Sequence, residues 1–140
     1  MILYTEKNEN NNIQSTNKDM FDMFVQDLEN IYHKNSIYRA IVVTDLKKEE
    51  WYAKQLEQYN HSVFIAHTIT NQDYDTIDNR VLLMNYDIFD KFLDYIYSNI
   101  LSSSYNLIAF TYDIDEKIKD VLVDKYKKFT LNNINNTIII

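Results

Sequence analysis

The sequence predicts a single three-layer α/β domain, a mostly parallel sheet of about five strands with helices on both faces. Three observations lead there. A strand-then-helix unit opens at residues 36–59, where SIYRAIVVTD is followed by LKKEEWYAKQLEQY, and the same grammar recurs downstream. The runs VLLM and LIAF do not alternate polar with apolar, as suits strands covered on both faces. At 140 residues and 46% hydrophobic, the chain suits one domain able to bury roughly 70% of its unfolded surface.

Taken in order, residues 1–18 read as an N-terminal tail and linker, and 19–140 as the α/β domain. Residues 1–5 form a short strand or a packed tail, and EKNENNNIQSTNK (6–18) is polar with one apolar residue, Ile13, so a mobile linker is expected. Met20, Phe21, Phe24, Leu28, Ile31 and Tyr32 repeat at helical spacing over 19–34. A strand follows at 37–44, then a helix at 46–58, a turn at Asn60 and His61, and a strand at 62–67. The polar segment 68–79 leaves room for a short helix at 73–77. The next strand is 80–86. Helix 87–101 has the strongest pattern, with Phe89, Phe92, Leu93, Ile96 and Ile100 on one side, and Ser102–Ser104 ends it. Strand 105–112, helix 113–129, a turn at 132–136 and a terminal strand at 136–140 complete the chain. A helix between strands implies parallel crossovers.

Composition removes several function classes. The net charge of −7, from 14 basic and 21 acidic residues, disfavours nonspecific binding to nucleic acid or anionic membrane. No run approaches the ~20 apolar residues that span a bilayer, and the acidic start is not a secretory signal. Cysteine is absent, so disulfides and zinc-thiolate sites are impossible, and a reducing, cytoplasmic setting fits. Glycine and proline are absent too. That excludes a Walker loop, a GxGxxG turn and a GxSxG elbow, all of which need backbone positions glycine alone occupies cheaply. Asparagine is the next-best residue for left-handed turn positions. The Asn/Ile/Tyr/Lys bias reads as translation from an AT-rich genome.

Three strands end in acid: Asp45, Asp87, and Asp113 with Asp115 and Glu116. Ligands of open α/β sheets bind at the carboxyl ends of strands. Carboxylates converging there would hold Mg²⁺ for phosphotransfer or nuclease chemistry, with Asp45, Asp87 and Asp113 catalytic and Asp115 a further metal ligand. The simpler reading is helix capping, since each acid sits where the next helix starts. Asp113 with Glu116 resembles a capping box. Of the histidines, His33 and His61 lie near turns, and His67, at a strand end, is the one that could serve a site. Lys125, Lys127 and Lys128 around Tyr126 form a small basic cluster that would stack and pair with nucleic acid, although lysines near a helix C-terminus are favoured by the dipole anyway. Trp51, Tyr52 and Tyr126 are candidate interaction residues for a protein partner, aromatic side chains being enriched at interfaces.

The order of elements resembles the C-terminal RecA-like domain of superfamily 2 helicases, of both DEAD-box and viral types. The likeness spans about 21–140 and is carried by FDMFVQDLENIY, by YRAIVVTDLKKEEWYAKQLEQYNHSVFIAH, by RVLLMNYD against that family's RVLIxTD, and by NLIAFTYDID against its LIINYDxP. It implies a RecA/Rossmann-like fold. The catalytic parts depart from the family. Its Arg-Gly-Leu/Ile-Asp turn is replaced by Phe89-Asp90-Lys91-Phe92-Leu93-Asp94, of which only Leu93-Asp94 echoes the motif. Its HRxGRxxR helix is replaced by KIKDVLVDKYKKF, which has no arginine to clamp a phosphoryl group. The resemblance therefore implies a degenerate, non-catalytic interaction module without cofactor. It would be an accessory protein of a replication or transcription assembly, from an AT-rich virus or cytoplasmic plasmid. A protein partner is expected; nucleic acid alone and membrane are not.

Overall fold

The computed structural model describes residues 6–35, 39–68, 78–98, 105–129 and 137–140. Its elements are α1 (Glu6–Asn35), β1 (Arg39–Thr44), α2 (Glu49–Gln58), β2 (Val63–Ile65), β3 (Val81–Asn85), α3 (Tyr86–Ser98), β4 (Tyr105–Phe110), α4 (Glu116–Phe129) and β5 (Ile138–Ile139). The strands form one all-parallel sheet in the order β2-β3-β1-β4-β5. The expected α/β class is what the chain adopts.

Alternation along the strands builds the layers, because successive side chains point to opposite faces. Ala40, Val42, Val81, Leu83, Leu107 and Ala109 meet α1 and α2, whereas Ile41, Val43, Leu82, Met84, Ile108 and Phe110 meet α3 and α4. Both faces of β1, β3 and β4 are thus apolar, which is why their sequences do not alternate. Phe21, Phe24, Leu28 and Tyr32 of α1 bury one stripe, and Phe89, Phe92 and Leu93 of α3 another.

Several boundaries differ from expectation. α1 begins at Glu6, so the stretch expected as a linker is helical backbone continuous with the helix expected at 19–34. No glycine or proline interrupts that stretch, and although its five asparagines are poor helix formers, it extends a helix already nucleated by the apolar stripe that follows. α2 begins at Glu49 rather than Leu46, because residues 45–48 make a turn closed by the Lys48 N–H on the Asp45 carbonyl at 3.4 Å. Lys47 in that turn has φ 63°, a left-handed conformation filled here without glycine. At the other end of α2, Asn60 has φ 67°. The His61 N–H donates to the Leu56 carbonyl at 3.2 Å and the Asn60 N–H to the Glu57 carbonyl at 3.0 Å. That is a Schellman stop, with asparagine in the left-handed position, as expected for the turn. The strand expected at 1–5, the helix at 73–77, the break at 102–104 and the turn at 132–136 lie outside the described residues.

The topology fixes where a site can form. β1 leads to α2 on one face, while its neighbours β3 and β4 lead to α3 and α4 on the other. Exits that diverge in this way open a crevice at the carboxyl edge of the sheet.

Candidate functional site

The crevice beside the end of β4 has a volume of ≈ 190 Å³ and is lined by Lys47, Lys48, Trp51, Tyr52 and Asp113. The 45–48 turn delivers the two lysines, the first turns of α2 deliver the two aromatics, and the loop from β4 to α4 delivers Asp113. Lys48 Nζ donates to Asp113 Oδ2 at 2.8 Å, and the Thr111 hydroxyl donates to Asp113 Oδ1 at 2.7 Å. Burial pushes the Asp113 carboxyl up. Hydrogen bonds from Lys48, Thr111 and Tyr52, with the Lys48 charge, outweigh that and hold it below its ordinary range. Burial raises the Tyr52 hydroxyl, and the neighbouring Asp113 charge raises it further. Lys48, Thr111, Tyr52 and Asp113 thus satisfy one another at the wall of the crevice. The crevice volume falls short of the roughly 300–1,000 Å³ of small-molecule sites.

The aspartates singled out by sequence do not converge. Asp45 is half-buried and its Oδ1 accepts from the Leu46 N–H at 2.9 Å, so it shapes the turn and caps no helix. Asp87 is exposed in the first turn of α3. The cap of that helix is Asn85, whose Oδ1 accepts from the Ile88 N–H at 2.9 Å. Likewise Asp115, not Asp113, caps α4, accepting from the Lys117 N–H at 2.8 Å. The reason is where the helices begin. α3 follows β3 without a loop, which moves the cap back to Asn85, and α4 begins at Glu116, which leaves Asp113 facing the crevice. Among the described residues no group of three or more His, Asp or Glu is gathered to hold a metal ion.

No protein-family model, curated protein or solved structure matches this chain. Among the described residues no helix is long and apolar enough to cross a membrane.

The three candidate interaction residues fare differently. Trp51 is 37% exposed and stands edge-on to Phe21 and to Tyr52, with ring centroids 5.6 and 4.9 Å away. Tyr52 and Tyr126 are buried, so neither presents a surface. Tyr52 follows Trp51 by one position and turns inward onto Phe21, while Tyr126 joins Leu122 in the core under α4. Tyr59, at helical spacing from Tyr52 and Leu56, is exposed, lies 5.9 Å from the Phe21 ring and donates to Asp22 at 3.4 Å.

The basic cluster is partly neutralised. Lys125 pairs with Asp90 at 2.7 Å and Asp94 at 3.2 Å, tying α4 to α3, and its ammonium is raised chiefly by the Asp90 hydrogen bond. Lys127 and Lys128 are exposed in the last turn of α4. His33 and His67 are exposed, whereas His61 is buried with Nε2 2.9 Å from Glu29 Oε1. Burial lowers the His61 imidazole, against the Glu29 hydrogen bond. Arg80 lies over the Tyr32 ring at 4.3 Å, and the Tyr32 ring is 5.7 Å from His61. Burial pushes the Tyr32 hydroxyl up to about 12. This second cluster, at the amino edge of the sheet, escapes a motif search. Its one signal is that His61 follows the left-handed Asn60, at the position whose side chain packs back on a helix end.

Proposed function

We propose that this domain is a non-catalytic interaction module, a helicase-like layout whose small carboxyl-edge crevice is bridged by its own Lys48–Asp113 pair. The observation that carries the reading is the Lys48–Asp113 pair across the carboxyl-edge crevice. A nucleotide there would have to break that pair and displace Tyr52 and Thr111 from Asp113. In exchange it would meet neither a glycine-rich loop nor an arginine in the α4 segment. The exposed Trp51 and Tyr59, both braced on Phe21, supply rigid aromatic anchors of the kind that dominate protein interfaces. The resemblance gives the setting, an accessory role beside nucleic-acid enzymes, in which the domain grips a protein partner.

The test is a MgATP titration of the pure protein. Trp51 is the only tryptophan and lines the crevice, so its fluorescence reports occupancy. The reading expects no saturable change and no hydrolysis. Saturable quenching with turnover, lost in Asp113→Asn, overturns it.

A further inference from the structure

We propose that His61 is an acid-operated latch, which holds the corner between α2 and β2 onto α1 while its ring is neutral and lets that corner open when the ring takes a second proton. The corner is built so that one ring can move alone. Residues 57–60 and Ser62 are exposed, and His61 between them is buried, its side chain 1% exposed. Its Nε2 lies 2.9 Å from Glu29 Oε1 on α1, and the Tyr32 ring lies 5.7 Å from the imidazole. Leu56 before the corner belongs to the core and Val63 after it packs on that core, so both ends of the corner are pinned.

Proton placement makes the latch. The Glu29 carboxylate only accepts, so Nε2 carries the proton of the neutral ring and Nδ1 is a bare acceptor. Nδ1 is out of reach of solvent and has no hydrogen-bond partner among the described residues. A second proton turns it into a charged donor with no acceptor beside it. Two charges act on the ring. Glu29, half in water on α1, favours the charged form, and Arg80, before β3 and 4.3 Å from the Tyr32 ring centre, opposes it. Burial keeps the Tyr32 hydroxyl neutral, and β2 is apolar. Burial of the imidazole outweighs the help from Glu29. The charged ring is relieved only by turning out to water, and the exposed corner is the part that moves. Tyr59 moves with it, so the latch also governs whether that ring stays on Phe21.

The latch does not depend on the binding role proposed above. Amide hydrogen exchange of the full chain tests it, as protection factors corrected for the intrinsic pH effect, beside an NMR titration of the His61 ring from pH 7.5 to pH 4.5. The Asn60 and His61 amides, which donate to the Glu57 and Leu56 carbonyls, report the corner, and Ile41–Val43 report the core. Corner protection should fall about tenfold or more as the ring charges, one proton allowing at most about tenfold per pH unit. An opening confined to the corner exposes little surface, so protection there should not respond to urea below the unfolding range, whereas that of the core should. His61→Phe, whose ring cannot titrate, should remove the acid effect. A ring that stays neutral throughout, a ring that charges without loss of corner protection, or a corner that follows the core in urea overturns the proposal on the unsubstituted chain alone. An equal fall in His61→Phe overturns it as well.

Discussion

Lys48 Nζ lies 2.8 Å from Asp113 Oδ2, joining residues 65 positions apart across the carboxyl-edge crevice. The lysine side chain is 37% exposed and the aspartate 13%. Solvent screens such a pair, and its own worth is about 0.2–1 kcal/mol.

Lys48→Ala should therefore cost about 1 kcal/mol in urea unfolding, with a clearer effect on titration. The folded Asp113 carboxyl sits below its ordinary value of 3.8, so it contributes stability above that value, lost as pH falls through the folded pKa. Removing Lys48 takes away a charge and a donor, so the Asp113 titration should move up. Carboxyl-carbon NMR across the acid range measures it. An unmoved titration would mean the pair does not persist in solution.

His61 makes a second pH dependence, in a different window. Burial lowers its imidazole, so the unfolded chain binds a proton that the folded chain resists. Its contribution is complete above the unfolded value of 6.5 and is lost as pH falls through the folded value. One such proton limits the slope to about 1.4 kcal/mol per pH unit. Glu29 and Arg80 face the ring from α1 and from the residue before β3, and both enter the balance. Urea unfolding at pH 7.5 and pH 5.5 should show the loss, and His61→Phe should shrink the difference. An equal difference in the variant would assign it to other groups.

The layers were legible because they rest on local spacing. Phe89, Phe92 and Leu93 mark a helix face, and Val81–Met84 reads as a strand buried on both sides. The left-handed stop at Asn60 was legible for the same reason. The caps at Asn85 and Asp115 were not, because a cap is set by where a helix begins, and a one-residue shift moves the role to a neighbour. Lys48 follows the same strand end as Asp45, but in the sequence its charge is balanced at once by Glu49 and Glu50. Its partner comes from another strand, and no window of sequence holds both. Helix phase around Trp51 and Tyr52 also needed the neighbour, Phe21, to say which ring faces in.

Without glycine, the two left-handed positions among the described residues carry a cost that mutation can reveal. Lys47 at φ 63° has a Cβ where one is disfavoured by about 1–2 kcal/mol. Lys47→Asn should stabilise the domain by about 0.5–1 kcal/mol, since asparagine tolerates this conformation. Asn60→Ala should cost about 1 kcal/mol, whereas Asn60→Gly stays near neutral. Thermal or urea unfolding ranks the set. Destabilisation by Lys47→Asn would show that the lysine side chain contributes more at the crevice rim than its backbone costs.

The buried hydroxyls beneath the crevice give the sharpest test of its internal bonding. Thr44 and Thr111 are almost fully buried, their hydroxyl oxygens are 3.2 Å apart, and Thr111 also contacts Asp113. A hydroxyl has one proton, and the carboxylate can only accept, so Thr111 donates to Asp113 and Thr44 donates to Thr111. The two substitutions are then unequal. Thr44→Val removes a donor to a group whose own proton is already placed, at about 0.5–1 kcal/mol. Thr111→Val strips Asp113 of a donor and strands the Thr44 proton in the core, at about 1–3 kcal/mol. Adding Thr44→Val to Thr111→Val removes the stranded group, so the double variant should be no less stable than Thr111→Val alone. Urea midpoints for the four proteins close the cycle. Strict additivity would mean the two hydroxyls do not share a proton chain, and the crevice would then be held by the Lys48 bond with little help from beneath.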